Sequence, residues 1–339
     1  MIKSVRFALA VVVSAACMMP LAAKAKSRAK AFTAETVNAA VFKPGALRRG
    51  QSSPLALKLQ VLLDRAHASP GVMDGVFGAS AVEAVKHFQL MNGAKTGGRL
   101  TQEEWDKLVA TGGATPIVKA YEIQKGDVKG PFIESVPKDY AEKAKLKHMA
   151  YTSALEGLAE KFHMSEALLK ALNPDNGFDK AGETIIVADP GANTQERVER
   201  IEVDGQQKVL RAYGKTDNLL AIYPATVGSK AMPSPTGSLK VRAVAEKPVY
   251  YLDPKKITFT KIEGEEQLKI APGPNNPVGL YWIDLDQDTY GIHGTAEPAE
   301  VGKGASHGCV RLTNWDAGEL AVNVRKGVPV VFMSGVAAR

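Results

Sequence analysis

Apolar residues recur at helical spacing through the first half of this chain and at alternate positions through the second, so two kinds of architecture are expected in sequence order. Leu55, Leu59 and Leu62 share one helical face, as do Ala81, Val85 and Phe88, and a glycine-punctuated turn at residues 70–78 separates the two runs. A third helix opens on Thr101 and Glu104 at capping-box spacing and buries Trp105 and Leu108. After a Gly/Thr-rich break at 110–116, residues 121–127 read as a strand and a turn. Leu155, Leu158, Ala159 and Phe162 predict a helix, and a second begins at Ser165, buries Leu168, Leu169 and Leu172, and stops at Asn173-Pro174. Residues 182–187 form a closing strand.

From Ile201 the period falls to two. Ile201-Glu202-Val203 and Val209-Leu210 flank Asp204-Gly205 as a hairpin, with further strands at 221–227, 239–244 and 328–332. One late helix is expected, with Asn314 as N-cap and Gly327 as stop, burying Leu320 and Val324. Residues 26–50 have no clear period and read as a basic tether, while 230–237 and 246–279 read as walls or a lid over a site.

Composition changes the picture mainly at the N-terminus. Lys3 and Arg6 precede an apolar run at 7–16, Pro20 breaks it, and Ala23-Lys24-Ala25 offers small residues for cleavage, the layout of a secretory signal. An uncleaved anchor and lipidation at Cys17, after Ser14-Ala15-Ala16, are the alternatives; the apolar run is short for a membrane span. Removing residues 1–25 lowers the net charge from +7 to about +4, because Lys3, Arg6 and Lys24 are lost. That excess suits an envelope protein beside an anionic polymer. No basic-aromatic stripe or zinc-finger spacing suggests nucleic acid.

Of the two cysteines, only Cys309 is expected to survive as a thiol, in a compartment where cysteines usually pair. An unpaired thiol there is either buried and inert or kept for its reactivity. Its context is Ser306-His307-Gly308-Cys309-Val310-Arg311-Leu312, with His293-Gly294-Thr295 a short loop upstream. A free thiol is only a few per cent ionised at neutral pH, and a neighbouring imidazole raises that fraction and returns the proton to a leaving amine. Gly308 leaves the backbone beside the sulfur open, so amides there can face an oxyanion. The pattern points to acyl transfer. Metal binding is the weaker alternative: Cys309, His307 and His293 lack the paired spacing of a metal site, and neither metal nor cofactor is expected.

Residues 199–333 resemble the catalytic domain of the L,D-transpeptidase (YkuD-type) family. The resemblance rests on Pro235-Thr236-Gly237, the block Pro272 through Pro277, Tyr290-Gly291-Ile292-His293-Gly294-Thr295, Gly302, and Ser306 through Leu312. Leu59-Gln60, Asp74-Gly75-Val76-Phe77-Gly78 and Ala84-Val85-x-x-Phe88-Gln89 resemble a three-helix peptidoglycan-binding module. Residues 117–190 resemble a LysM module carrying an insertion at 129–150, which leaves glycan binding and a plain spacer both open. The expected fold is α+β and multidomain: signal 1–25, linker 26–50, helical module 51–110, LysM-like module 117–190, and a mostly β, sandwich-like catalytic domain 197–333.

The resemblance implies Cys309 as nucleophile, His293 as general base and then acid, and the Gly294 carbonyl as the group that orients the imidazole. It implies an oxyanion hole from the Gly308 and Cys309 amides, and substrate contacts from Arg311, Ser306 and His307, with His307 shaping the loop rather than acting as base. A loop-stapling ion pair is the alternative for Arg311. The implied reaction transfers a peptidoglycan tetrapeptide through a thioester, releasing its terminal D-residue, to an amine of a second stem. Water, a wall-anchored protein or a free D-amino acid as acceptor, and a non-catalytic wall-binding protein, are the competing readings. The expected partners are stem peptides and glycan, with no membrane span after signal removal, in the periplasm or cell envelope.

Overall fold

Helical periodicity in the N-terminal half is realised as four helices in the computed structural model, which describes residues 32–255 and 266–333: α1 (Ala34–Asn38), α2 (Pro54–Arg65), α3 (Ala79–Met91) and α4 (Gln102–Gly112). The signal segment and Cys17 lie outside the described residues. Ser53 caps α2 and the Thr101/Glu104 capping box opens α4 as expected. Part of the expected tether is not one. Val37 is fully buried, and Phe42 stacks on Trp105 with ring centroids 4.7 Å apart. Isolated apolar residues without a period hid this packing from the sequence.

Strand β1 (Val118–Glu122) pairs antiparallel with β2 (Thr184–Ala188). Between them lie α5 (Lys125–Val128), α6 (Tyr140–Lys145), α7 (Ala154–Lys161) and α8 (Glu166–Leu172). This unit and α1–α4 share one apolar core, which runs from Phe32 to Ala188. Arg65 binds them further: its guanidinium donates to the carbonyls of Gly112, Thr115, Pro116 and Asp189 and pairs with the Asp189 carboxylate at 3.2 Å. Most of the break at 110–116 is thereby held in place.

The C-terminal half is one eight-stranded sheet with its own core. Its members are β3 (Arg200–Asp204), β4 (Val209–Tyr213), β5 (Leu219–Pro224), β6 (Gly237–Glu246), β9 (Tyr281–Leu285), β10 (Gly291–His293), β11 (Val310–Arg311) and β12 (Pro329–Met333). The spatial order is β11-β10-β9-β6-β12-β3-β4-β5, antiparallel except at β10–β11 and β12–β3. The sheet curls back on itself: Thr226, just past β5, exchanges two 2.9 Å backbone hydrogen bonds with Arg311 on the opposite edge. The stretch expected as a lid contains a hairpin of β7 (Tyr250–Leu252) and β8 (Leu268–Ile270), against which α6 packs; residues 256–265 lie outside the described residues. Helix α9 spans Asn314–Asn323 and is capped by the Thr313 hydroxyl, one residue earlier than the sequence suggests.

Residues 67–69 and Met149 join the halves. His67-Ala68-Ser69 runs alongside β5, exchanging backbone hydrogen bonds with Ile222 at 2.9 Å. His67 contacts Glu319 at 2.9 Å, and Ser69 donates to Asp316 at 3.1 Å. Met149 exchanges backbone hydrogen bonds with Pro272 and Asn275, and Gly273 tolerates this approach because a Cβ there would lie 2.2 Å from the Met149 carbonyl oxygen.

Candidate active site

Two short parallel strands place the reactive groups. Ile292 of β10 is opposite Val310 of β11, and His293 is opposite Arg311. Ile292 and Val310 are both fully buried in the sheet core. Side chains alternate along a strand, so His293, Arg311 and, one residue before β11, Cys309 share the other face. The sulfur and the imidazole are therefore diagonal neighbours across a strand pair, within reach of an aromatic ring. Residue 291 must be glycine, since a Cβ there would stand 2.5 Å from the Trp282 ring. That ring stacks on His293, with centroids 5.5 Å apart.

His293 is buried, and its Nδ1 lies 2.6 Å from the Gly294 carbonyl oxygen. A carbonyl only accepts, so Nδ1 carries the proton and Nε2 presents its lone pair. Burial pushes the imidazole pKa down to about 3; the Gly294 hydrogen bond opposes that shift and the Arg311 charge adds to it. Burial raises the Cys309 thiol above its ordinary value, opposed by a Gly291 backbone hydrogen bond and by Arg311. The resting pair is a neutral thiol with a neutral imidazole. No hydrogen bond joins them among the described residues. The partly exposed thiol instead donates to the Thr289 carbonyl at 3.4 Å.

The loop before the sulfur is tightly held. The Ser306 hydroxyl donates to the Cys309 carbonyl at 2.5 Å and accepts from the Gly308 amide at 3.2 Å. Ser234 donates to the Gly308 carbonyl at 2.7 Å. Gly308 has φ +119°, and a Cβ there would meet the Tyr290 ring at 2.8 Å. The two amides expected to form an oxyanion hole thus differ in this structure: that of Gly308 is engaged by Ser306, while that of Cys309 has no partner among the described residues. Ser306 is buried, and its hydroxyl makes one donated and one accepted hydrogen bond within the loop. His307 is exposed, and its pKa is lowered, first by partial burial and then by the Arg311 charge.

No acidic partner pairs with Arg311 among the described residues, so the stapling ion pair is not formed there. Its charge reaches Cys309, His293, Tyr250 and Tyr140. Tyr250 comes from β7 and Tyr140 from α6, inside the inserted segment 129–150. Lys143 lies over the Tyr140 ring at 4.8 Å. Trp282, Tyr250 and Tyr140 were not legible as site residues, because only the sheet register and the long-range packing of α6 bring them in. No cluster of His, Cys, Asp or Glu suited to a metal ion occurs among the described residues.

Comparison with known proteins finds sequence matches in both halves of the chain. Residues 198–332 match the family model of the L,D-transpeptidase catalytic domain (YkuD), and residues 52–108 match that of a putative peptidoglycan binding domain. A putative L,D-transpeptidase YkuD of Bacillus licheniformis is 31% identical over 179 residues, covering 52% of this chain and 91% of that protein. The Bacillus subtilis protein of the same name is 30% identical over 180 residues, covering 52% and 92%. Among solved structures, an L,D-transpeptidase from Mycobacterium smegmatis aligns with a TM-score of 0.33 at 18% identity, over 45% of this chain and 64% of that one.

Proposed function

The chain belongs to the L,D-transpeptidase family, and we propose that it cross-links peptidoglycan through a thioester on Cys309, with His293 as the proton carrier. The observation that carries this reading is the Nδ1 contact to Gly294 at 2.6 Å, which leaves Nε2 free on the sheet face that also holds the sulfur. In the first half-reaction, His293 Nε2 takes the thiol proton as Sγ bonds to the carbonyl carbon of the stem's diamino-acid residue. The tetrahedral oxyanion faces the Cys309 amide, joined by that of Gly308 if the approach of substrate draws it from Ser306. The C–N bond to the terminal D-residue then breaks, and the imidazolium returns its proton to the departing amine. In the second, an amine on a neighbouring stem loses a proton to His293 and attacks the thioester; the C–S bond breaks and the thiol is restored.

Arg311 supports this chemistry in two ways. Its charge favours the thiolate, and its planar fork suits a stem carboxylate, with no acid among the described residues competing for it. We place attachment to the wall in the module at 52–108, and delivery to the cell envelope in the segment at 1–25.

The test is product analysis with purified disaccharide-tetrapeptides. The reading predicts dimers lacking one D-residue, and none with Cys309→Ala. Tripeptide alone would identify water as the acceptor, and dimers formed by Cys309→Ala would remove the reading.

A further inference from the structure

Behind the imidazole, a second buried polar chain leaves the catalytic domain and ends in the N-terminal half. Its hub is Asn314, the first residue of α9, which is 3% exposed. The Asn314 Oδ1 accepts from the Leu280 amide at 3.0 Å. It also occupies the space where a Cβ would stand on Gly279 or Gly294, 2.2 Å from either position. Its Nδ2 donates to the Pro274 carbonyl at 3.2 Å and to Glu160 Oε2 at 2.9 Å. Glu160 is 7% exposed and belongs to α7, 154 residues away in sequence.

The two ends of an amide are not interchangeable here. Turning Asn314 over would set its NH2 against the Leu280 N–H and its oxygen against the Pro274 carbonyl, placing donor on donor and acceptor on acceptor around a buried side chain. The Leu280 amide, the Pro274 carbonyl and Glu160 together fix the sense of the Asn314 amide. That amide packs directly on the Gly294 backbone, whose carbonyl holds His293 Nδ1.

We infer that Glu160 is a positioning residue for the transpeptidation reaction, acting through Asn314 on the Gly294 peptide and so on the orientation of His293. The inference rests on the reading of Cys309 and His293 as the reacting pair. It also gives the second module a role apart from wall attachment: α7 supplies an outer support of the catalytic imidazole. The groups facing the Glu160 carboxyl are the Tyr151 hydroxyl at 3.4 Å, Glu156 of the same helix, and His163. Glu156 is itself held by Thr152 and by Asn275, which donates to it at 2.9 Å.

The test uses the full chain with two near-isosteric substitutions, Glu160→Gln and Glu160→Met, with Cys309→Ala as reference. Glutamine keeps an oxygen for Asn314, and methionine fills the volume without one. The inference predicts kcat within about threefold of wild type for Glu160→Gln, and about tenfold lower for Glu160→Met with KM unchanged, the pattern of a lost transition-state alignment. In parallel, the ¹⁵N resonances of Gly294 and of His293 Nδ1 are followed between about pH 5 and 9, a range that spans a buried carboxyl with a raised pKa. Both should move with the Glu160 ¹³Cδ signal in wild type, and that step should vanish in Glu160→Gln. Wild-type kcat in Glu160→Met, glutamine no better than methionine, or resonances that ignore Glu160 would each overturn it. The titration decides the matter even if Glu160→Met fails to fold. Residual transfer in Cys309→Ala would instead remove the catalytic reading itself.

Discussion

Replacing Arg311 changes the charge felt by Cys309 and by His293, and the direction of each change is set by geometry. Its positive charge lowers both pKa values, so Arg311→Ala should raise them. Alkylation of Cys309 by iodoacetamide at pH 8 should slow about three- to tenfold, because less of the thiol is ionised. Arg311→Lys should restore the alkylation rate while leaving transfer impaired, because a point charge does not reproduce a bidentate fork. A His293→Ala variant should lose about 10²–10⁴ in kcat, the usual contribution of a positioned general base. These residues were legible in the sequence because the motif is local: 306–312 is one loop running into and past β11, and 293–295 leaves the end of β10 beside it. Glu160 and Tyr140 were not, since nothing at residues 140 or 160 marks a partner more than 100 positions onward.

At the scale of elements, two glycines and one aromatic carry the clearest tests. Gly291→Ala sets a methyl into the Trp282 ring and should displace the stacked His293, lowering kcat more than it lowers the melting temperature. Gly308→Ala meets both the Tyr290 ring and a φ of +119°, so it should cost about 1–3 kcal/mol as well as activity. Phe42→Ala removes the stacking partner of Trp105 and should cost about 3–5 kcal/mol in a denaturant titration, where a true tether would show almost nothing. Periodicity located most helices and strands correctly, because long amphipathic runs carry a strong signal. It failed at residues 32–50, where burial depends on a few apolar side chains with no repeat. It also missed the β7–β8 hairpin, whose strands are three residues each and carry too little pattern to read.

Across the whole molecule, the N-terminal and catalytic halves are joined through buried ionisable groups, and this gives stability a sign with respect to pH. Burial, followed by the nearby Asp64, raises the Asp316 carboxyl to about 7; burial, partly offset by the Asn314 hydrogen bond, raises Glu160 to about 7. Burial disfavours charge on His163, yet Asp64, Asp316 and Glu319 hold its pKa above the usual value. Each of these folded-state values exceeds its unfolded one, so the folded protein binds more protons than the unfolded chain through this window. The contribution of the two carboxyls is complete at low pH and is lost as pH rises through about 7, and that of His163 changes in the same direction. Taken alone, these groups make the melting temperature fall between about pH 5 and pH 8, while His293 and His87, whose folded values are pushed down to about 3 and about 4, act in the opposite sense below about pH 6.5. Asp316→Asn, which removes one titrating group while keeping an acceptor for Ser69, should flatten that fall.

The central claim is that one sulfur, served by one imidazole, carries the acyl group between stems. Intact-protein mass spectrometry after a brief exposure to a tetrapeptide donor tests it most directly. The account predicts a mass gain equal to the donor less its terminal D-residue, located on the peptide containing Cys309, absent from Cys309→Ala and strongly reduced in His293→Ala. Transfer products accumulating without any adduct on that peptide, or an unchanged adduct after either substitution, would contradict it.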